Sequence, residues 1–216
     1  MNGDEALLIT TECYKETYLD GKNADGIKKE IESLRHGIEK LKMKIESPAS
    51  TLEGREGFSP REELFAAREY LRVAKEVLFE ISGEDAESEK EKAAGFINGR
   101  CENISRLTLT IGVYLTMKHT LDVLDRESIL KVSELHGDEI EVRMDTERVM
   151  EEIRELRLGE WRDLYLPEHY GCSMSDAEKW RLAVEFKDGG APIFFDGVGV
   201  YPYNFKSLCA LMGAER

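Results

Sequence analysis

The stretch WRLAVEFKDGGAPIFFDGVGVYPYNFKSLCALMG, residues 180–213, determines the fold predicted for the carboxy-terminal half of the chain. Trp180, Leu182, Val184 and Phe186 alternate with charged or small side chains, a pattern typical of a strand that is buried on one face. The turn KDGGA separates this strand from a second apolar run, PIFF. We therefore predict an antiparallel pair of strands with one face in the core.

The end of the same stretch predicts a glycine-rich turn followed by a helix. Gly197 and Gly199 permit either a positive φ angle or a close approach of another group to the backbone. Pro202 and Asn204 precede the helical pattern FKSLCALM, and we expect Asn204 to cap this helix and Gly213 to end it. Each unusual residue of the stretch has a structural role, so none of them requires a catalytic one.

A second alternating pattern lies upstream, between Leu107 and Val123. Apolar residues occupy every odd position of this segment except one, where His119 takes the inward-facing place. A single strand of this length would span about 55 Å, so we expect a bend or bulge near Gly112. We interpret His119 as a core or rim residue with one satisfied hydrogen bond.

Short turns continue this pattern into a predicted β-meander. The turns DRES and HGD lead into the strand patterns ILKVSEL and EIEVRM, and closely spaced turns between strands favour antiparallel pairing. The segment DTERVMEEIRELRLGEW then predicts a helix that Asp145 or Thr146 caps and Gly159 ends.

The amino-terminal half carries two helical patterns. GIKKEIESLRHGIEKLKMKIES and SPREELFAAREYLRVAKEVLFEIS each repeat apolar residues at alternating steps of three and four, the heptad seam of a coiled coil. Asn23 or Asp25 can cap the first helix and Pro48 ends it, whereas Ser59 and Glu62 form a capping box for the second. Because the loop PASTLEGREGF between them is short, we expect the helices to fold back as an antiparallel hairpin.

Together these patterns predict an α+β protein. An antiparallel helical hairpin occupies residues 1–98, and an antiparallel β-meander sheet with two or three helices occupies residues 99–216. The two regions either form separate domains or pack as one unit.

The second helix of the hairpin is apolar beyond its seam. A single partner helix cannot cover so wide a face, so the β region of the same chain, a second copy or another protein must pack there. Aromatic side chains near the carboxy terminus are further candidates for contact with a protein. The partner-binding candidates are Phe65, Tyr70, Val73, Val77, Tyr201 and Tyr203.

The pattern that best fits an enzyme is LPEHYGCSMSD, which brings Glu168, His169, Cys172 and Asp176 into one loop-like segment. A catalytic cysteine needs a base within about 2.6–3.2 Å and a carboxylate that orients the base. Closeness in sequence does not establish that geometry, so we assign no catalytic residue. These four residues define the alternative function, a small hydrolase or transferase.

The composition argues against several classes of partner. The 44 Asp and Glu residues outnumber the 30 Lys and Arg residues, which gives a net charge of −14. A surface with this much negative charge repels phosphate backbones and anionic lipids. We therefore expect no direct binding to nucleic acid or membranes. No apolar run approaches the ~20 residues that cross a bilayer, and the amino end lacks the positive charge of a secretory signal. We therefore expect a cytoplasmic protein.

Metal and cofactor patterns are missing from the sequence. The four cysteines and four histidines are scattered, without C-x-x-C or H-E-x-x-H spacing, and we interpret the cysteines as small core residues. The carboxylates of GDEIEVRMDTERVMEE alternate with apolar positions, as on a solvated strand face, and form no calcium loop. No phosphate-binding motif of the form G-x-x-x-x-G-K-[ST] or G-x-G-x-x-G occurs. We predict no metal and no cofactor.

The chain resembles a known family at both of its ends. The pattern W-x-L-x-V-x-F-x-x-G, then G-x-x-x-Y-P-x-N-F-x-x-L, with LGEWRDLY before them, is similar to the end of a family of uncharacterised bacterial proteins from anaerobic, gut-type Gram-positive organisms. The opening TTECYKETYLDGKNADGIKKEIESLRHGIEKLK is similar to the start of the same family. The resemblance implies a bacterial cytoplasmic origin, and it implies no activity, ligand or catalytic residue.

These observations favour a non-enzymatic, cytoplasmic module for protein–protein interaction or regulation. Its expected partner is another protein or a second copy of the chain. The small hydrolase or transferase is the alternative. A third hypothesis is an accessory protein that reaches nucleic acid through another protein.

Overall fold

The computed structural model confirms the α+β class, with a pair of long helices followed by a mostly antiparallel seven-stranded sheet and further helices. The chain divides into two compact units, Met1–Ser88 and Glu89–Arg216. The predicted interhelical loop and the HGD turn lie largely outside the described residues. The structure describes residues 9–48, 58–114, 117–134 and 139–214.

Unit 1 is built on two long helices. Its helices are α1 (Thr11–Tyr14), which continues into a π-helical turn (Lys15–Leu19), α2 (Ala24–Glu46) and α3 (Pro60–Ser82). The backbone N–H of Gly26 donates to the side chain of Asn23 at 2.9 Å, so Asn23 is the cap of α2. Ser59 and Glu62 form the predicted capping box of α3.

The heptad seams of α2 and α3 form most of the unit 1 core, because the two helices pack along each other. Lys28 near the start of α2 pairs with Glu84, just beyond the end of α3, as antiparallel helices require. One seam residue departs from the prediction, since Ile81 in the last turn of α3 is 52% exposed. The buried seam residues are Ile27, Ile31, Ile38, Leu64, Leu71, Ala74 and Leu78.

The amino-terminal segment of unit 1 covers part of the wide apolar face of α3. The ring of Tyr14 stacks on the ring of Tyr70 with centroids 4.2 Å apart. The Tyr70 hydroxyl donates to the carbonyl of Ile9 at 2.6 Å and accepts from its N–H at 2.9 Å. The predicted cover by the β region, a second copy or another protein is therefore wrong for Tyr70.

In its described residues, unit 2 contains three α-helices and all seven strands of the sheet. The strand order is β4-β3-β2-β1-β6-β7-β5, and only the short β5 pairs in parallel. The first four strands are the predicted meander. The elements are α4 (Glu89–Gly99), β1 (Ile104–Gly112), β2 (Met117–Asp122), β3 (Glu127–Glu134), β4 (Glu139–Asp145), α5 (Thr146–Glu155), β5 (Leu164–Tyr165), β6 (Lys179–Phe186), β7 (Ile193–Val198) and α6 (Phe205–Leu211).

The long alternating segment is a hairpin of two strands rather than one bent strand. The chain reverses after Gly112, and β1 pairs antiparallel with β2. Leu107 lies opposite Leu121 and Leu109 lies opposite His119, so each pair joins two odd-numbered residues. The odd-numbered side chains therefore stay on one face through the reversal, and the predicted bend near Gly112 is corrected to a full turn.

Residues 180–213 contribute β6 and β7 to the other half of the sheet. Trp180 lies opposite Gly197, and its indole N–H donates to the carbonyl of Val200 at 2.8 Å. A Cβ atom on Gly197 would lie 2.7 Å from Cζ2 of Trp180 and closer still to Nε1. Gly199 has a φ angle of 64°. Both predicted uses of glycine are confirmed, the close approach at Gly197 and the positive φ at Gly199.

Two predicted helix boundaries are corrected. Asn204 makes no capping hydrogen bond to α6, because its side chain accepts from the indole of Trp161 at 2.9 Å and donates to the carbonyl of Leu156 at 2.7 Å. Helix α5 ends at Glu155, before Gly159. The Gly159 N–H instead donates to the side chain of Asn98 in α4 at 2.8 Å, and a Cβ there would overlap α4. The predicted cap of α5 is confirmed as Asp145, which accepts from the N–H of Arg148.

His119 is a core residue, as predicted. It is 3% exposed, and its Nδ1 lies 2.9 Å from the carbonyl oxygen of Met212, just past α6. Because a carbonyl only accepts, Nδ1 carries the hydrogen and donates it. Burial lowers the pKa of His119 below its ordinary value. Among all the helices described, none has the length and apolar character needed to cross a membrane.

Candidate interaction surface

The four catalytic candidates lie on a 3₁₀ turn (Pro167–Tyr170) and the loop that follows it. Glu168, His169 and Asp176 are exposed, and Cys172 is half-buried. The Cys172 thiol donates to the carbonyl of Tyr170 at 3.5 Å. In this described segment, no hydrogen bond or ion pair joins any two of the four side chains. The arrangement therefore brings no base to the thiol.

The cysteines and metal-ligating side chains are dispersed in the fold. Cys101 and Cys209 are buried, whereas Cys13 is exposed. Burial raises the pKa of the Cys101 thiol, which keeps it protonated and unreactive. Within the segments that the structure describes, no three His, Cys, Asp or Glu side chains are grouped to hold a metal ion.

The partner-binding candidates on α3 divide into one exposed and three buried residues. Phe65 is 67% exposed. Tyr70, Val73 and Val77 are each less than one-tenth exposed. Because buried side chains cannot contact an outside protein, only Phe65 of these four offers apolar area to a partner.

The two tyrosine candidates near the carboxy terminus are engaged in contacts within unit 2, and Tyr201 belongs to an aromatic cluster around Trp180. Tyr203 is buried, and its hydroxyl donates to Glu160 at 3.2 Å. Tyr201 is half-buried, its ring lies 4.9 Å from that of Phe205, and its hydroxyl donates to Glu178 at 2.9 Å. Tyr203 is thus a core residue, and Tyr201 contributes to the cluster with one side of its ring.

Two open depressions occur in unit 1 near the end of α3. Their volumes are about 250 and 330 Å³, and both border Glu84, Asp85 and Ala86. Most of the residues that line them are charged. Neither depression contains any of the catalytic candidates.

The sheet exposes apolar side chains at one of its edges. Strand β4 is the outermost strand on that side, and it pairs with β3. Val142 lies opposite the buried Leu130, and Ile140 lies opposite Val132, so both extend the inner, apolar face of the sheet. Ile140 is nevertheless 63% exposed and Val142 is 45% exposed.

Charged residues alternate with these apolar ones on the outer face of β4. Arg143 donates to Glu127 of β3 at 3.0 Å. Glu141 lies opposite Lys131, but the two form no ion pair among the described contacts. We use the name β4 edge for the outer side of this strand together with the side chains of Ile140, Glu141, Val142 and Arg143.

Helix α5 does not cover the β4 edge. It follows β4 directly in the chain and contacts that strand as well as β3, α6 and the 3₁₀ turn Cys101–Asn103, yet Ile140 and Val142 remain exposed. EIEVRM is a strand, as predicted, but its apolar residues are not among the predicted site residues. The pattern of Ile140, Val142 and Met144 was visible, but their place in the outermost strand was not.

Comparisons with known proteins do not add to this description. No protein-family model matches the chain, and no curated protein or solved structure is significantly similar to it.

Proposed function

We propose that the protein is a non-enzymatic interaction module and that the β4 edge is the surface on which it binds another polypeptide. The observation that carries this proposal is the exposure of Ile140 and Val142 on the face of the sheet that is otherwise core. A regulatory role belongs to the same proposal, as does the bacterial cytoplasmic origin that the family resemblance implies.

The physical argument rests on the chemistry of a strand edge. An outermost strand presents a row of backbone N–H and C=O groups that a further strand can pair with. Proteins usually protect such an edge with proline, an inward-facing charge, a bulge or a covering helix. The inward-facing positions of β4 are instead Ile140, Val142 and Met144, and Ile140 and Val142 stay exposed although α5 contacts the strand. Strand addition uses main-chain hydrogen bonds for affinity and alternate side chains for specificity.

The rival functions have less support. A hydrolase or transferase acting through His169 and Cys172 needs a base at the thiol, whereas Cys172 bonds a backbone carbonyl and His169 is exposed. Direct binding to nucleic acid is disfavoured by the net charge of −14.

The test compares two lysine substitutions on exposed strand residues. Val142→Lys places a charge in the β4 edge, and Phe194→Lys is the matched control, because Phe194 is 49% exposed on β7, away from β4. Proteins captured from cells by the wild-type chain are identified and purified, and their affinities for the variants are measured. We expect Val142→Lys to weaken the specific complex at least about tenfold and Phe194→Lys to leave it unchanged. Equal binding by both variants would overturn the proposal.

A further inference from the structure

We propose that the partner at the β4 edge is a second copy of this chain, with the two β4 strands antiparallel about a twofold axis that passes between the two Val142 residues. This inference rests on the proposed function and names its partner. It follows from the order of charged and apolar residues along β4, which complements itself in one register.

The charges on the outer face match in that register. Antiparallel strands centred on Val142 place Glu141 opposite Arg143 of the second copy, and the symmetry repeats the pair. Directly opposed charges of opposite sign stabilise a strand pair, and like charges destabilise it. Glu141 has no ion pair within its own described unit, and Arg143 is exposed beyond its contact with Glu127. Both side chains are therefore accessible to a second copy.

The apolar residues match on the other face. Val142 meets Val142 of the second copy, and Ile140 lies opposite Met144 of the second copy on each side of the axis. These side chains continue the row of Leu130 and Val132 from β3. The pairing thus joins the apolar inner faces of two sheets and covers the side chains that one chain leaves exposed.

Neighbouring registers are less favourable. A twofold axis at Glu141 would place the two Glu141 carboxylates opposite each other. An axis at Arg143 would place the two Arg143 guanidinium groups opposite each other. An axis at Ile140 places Glu139 opposite Glu141, and an axis at Met144 leaves a short ladder, because α5 begins at Thr146. At Val142 the ladder runs from Ile140 to Met144, while Asp145 is already engaged as the cap of α5.

The experiment exploits this charge order with two reciprocal substitutions, Glu141→Arg and Arg143→Glu. Each variant alone sets like charges against each other at two symmetric places, so we expect its dimer to weaken roughly 10- to 100-fold. An equimolar mixture of the two variants restores opposite charges at both places. So does the double variant carrying both substitutions. Sedimentation equilibrium or light scattering over a concentration series measures the dissociation constants, and mass-tagged chains identify the mixed dimer.

We expect a concentration-dependent dimer for the wild-type chain, weak self-association for each single variant, and recovery of the dimer in both the mixture and the double variant. The control is Arg181→Glu, which breaks the similarly exposed Arg181–Asp196 pair on β6 and β7. We expect this substitution to leave the dissociation constant of the dimer unchanged. Circular dichroism and tryptophan fluorescence verify that every variant is folded.

Two outcomes would overturn the inference. One is a wild-type chain that stays monomeric up to about 1 mM, and the other is a mixture that stays monomeric when the wild type dimerises. If Val142→Lys still abolishes binding to a different purified protein, the proposed function stands and only the identity of the partner is wrong. If Val142→Lys affects no complex, both proposals fail.

Discussion

The α2–α3 hairpin and the seven-stranded sheet both bury apolar side chains, but burial depends on different things in the two regions. In α3, Leu64, Leu71 and Leu78 recur at heptad spacing and are all buried. In the sheet, Val184 of β6 and Val142 of β4 lie in one row of paired residues that runs across the strands. The residues between them in this row are Leu107, Leu121 and Leu130. Val184 is 2% exposed and Val142 is 45% exposed. Burial in the hairpin follows the repeat, whereas burial in the sheet follows the position of the strand.

The largest expected difference between the two regions comes from the same substitution at two glycines. Gly197→Ala forces a Cβ into the indole of Trp180, so we expect unit 2 to lose about 3 kcal/mol or more. Gly37→Ala in α2 meets no atom within 4 Å, so we expect unit 1 to gain roughly 0.5–1 kcal/mol from the better helix former.

Denaturant titrations can separate these two effects. Both tryptophans of the chain, Trp161 and Trp180, belong to unit 2, so their fluorescence follows that unit. Far-UV circular dichroism is dominated by the long helices of unit 1. Changes of the same sign in the unfolding free energies of the two variants would contradict the contrast between the regions.

A matched pair of valines tests the contrast inside the sheet. We expect Val184→Ala to destabilise unit 2 by about 2 kcal/mol, because it removes buried methyl groups and leaves a cavity. Val142→Ala should cost less than about 0.5 kcal/mol in dilute solution, because its methyl groups already contact water. Tryptophan fluorescence in denaturant measures both changes. Equal losses of stability for the two alanine variants would mean that the β4 edge is covered in solution even when the chain is monomeric.

The smallest expected effect is a pH dependence that belongs to the sheet unit. Burial lowers the pKa of His119 from its ordinary value of 6.5, so below that pH the unfolded chain binds a proton that the folded chain does not. The stabilising effect of a neutral His119 is complete above pH 6.5 and is lost as the pH falls toward the lowered pKa. We expect His119→Gln to reduce the slope of unit 2 stability in this range, measured by tryptophan fluorescence.

The hairpin between β1 and β2 illustrates why part of the sheet could not be predicted. The period-two pattern from Leu107 to Val123 is compatible with one long strand. It is equally compatible with a hairpin of two strands in which each odd-numbered residue pairs with another odd-numbered residue. Only the pairing of Leu107 with Leu121 distinguishes them. The final strand pair was predictable because KDGGA supplies an explicit turn between two clear patterns.

The candidate site shows a similar division. The sequence indicated surplus apolar area on α3, but Tyr14, from a short segment without a clear periodic pattern, covers Tyr70. Tyr203 looked available for a partner and proved to be part of the core. Ile140 and Val142 resembled any other inward-facing strand residues, because alternation reports which face a side chain occupies and not how many strands lie beyond it.

Sequence alone determined the elements whose signals are local: the capping box at Ser59, the heptad seams, and the turn at KDGGA. It also narrowed two further caps to Asn23 or Asp25 and to Asp145 or Thr146, and the structure selects Asn23 and Asp145. These depend on contacts within a few residues, where side-chain type and spacing are sufficient. Tertiary structure alone decided the pairing of β1 with β6, which joins the meander to the final strand pair, together with the reversal after Gly112 and the exposure of β4. Those features arise from contacts between residues far apart in the chain, and period-two patterns are equally compatible with an inner strand and an outer one.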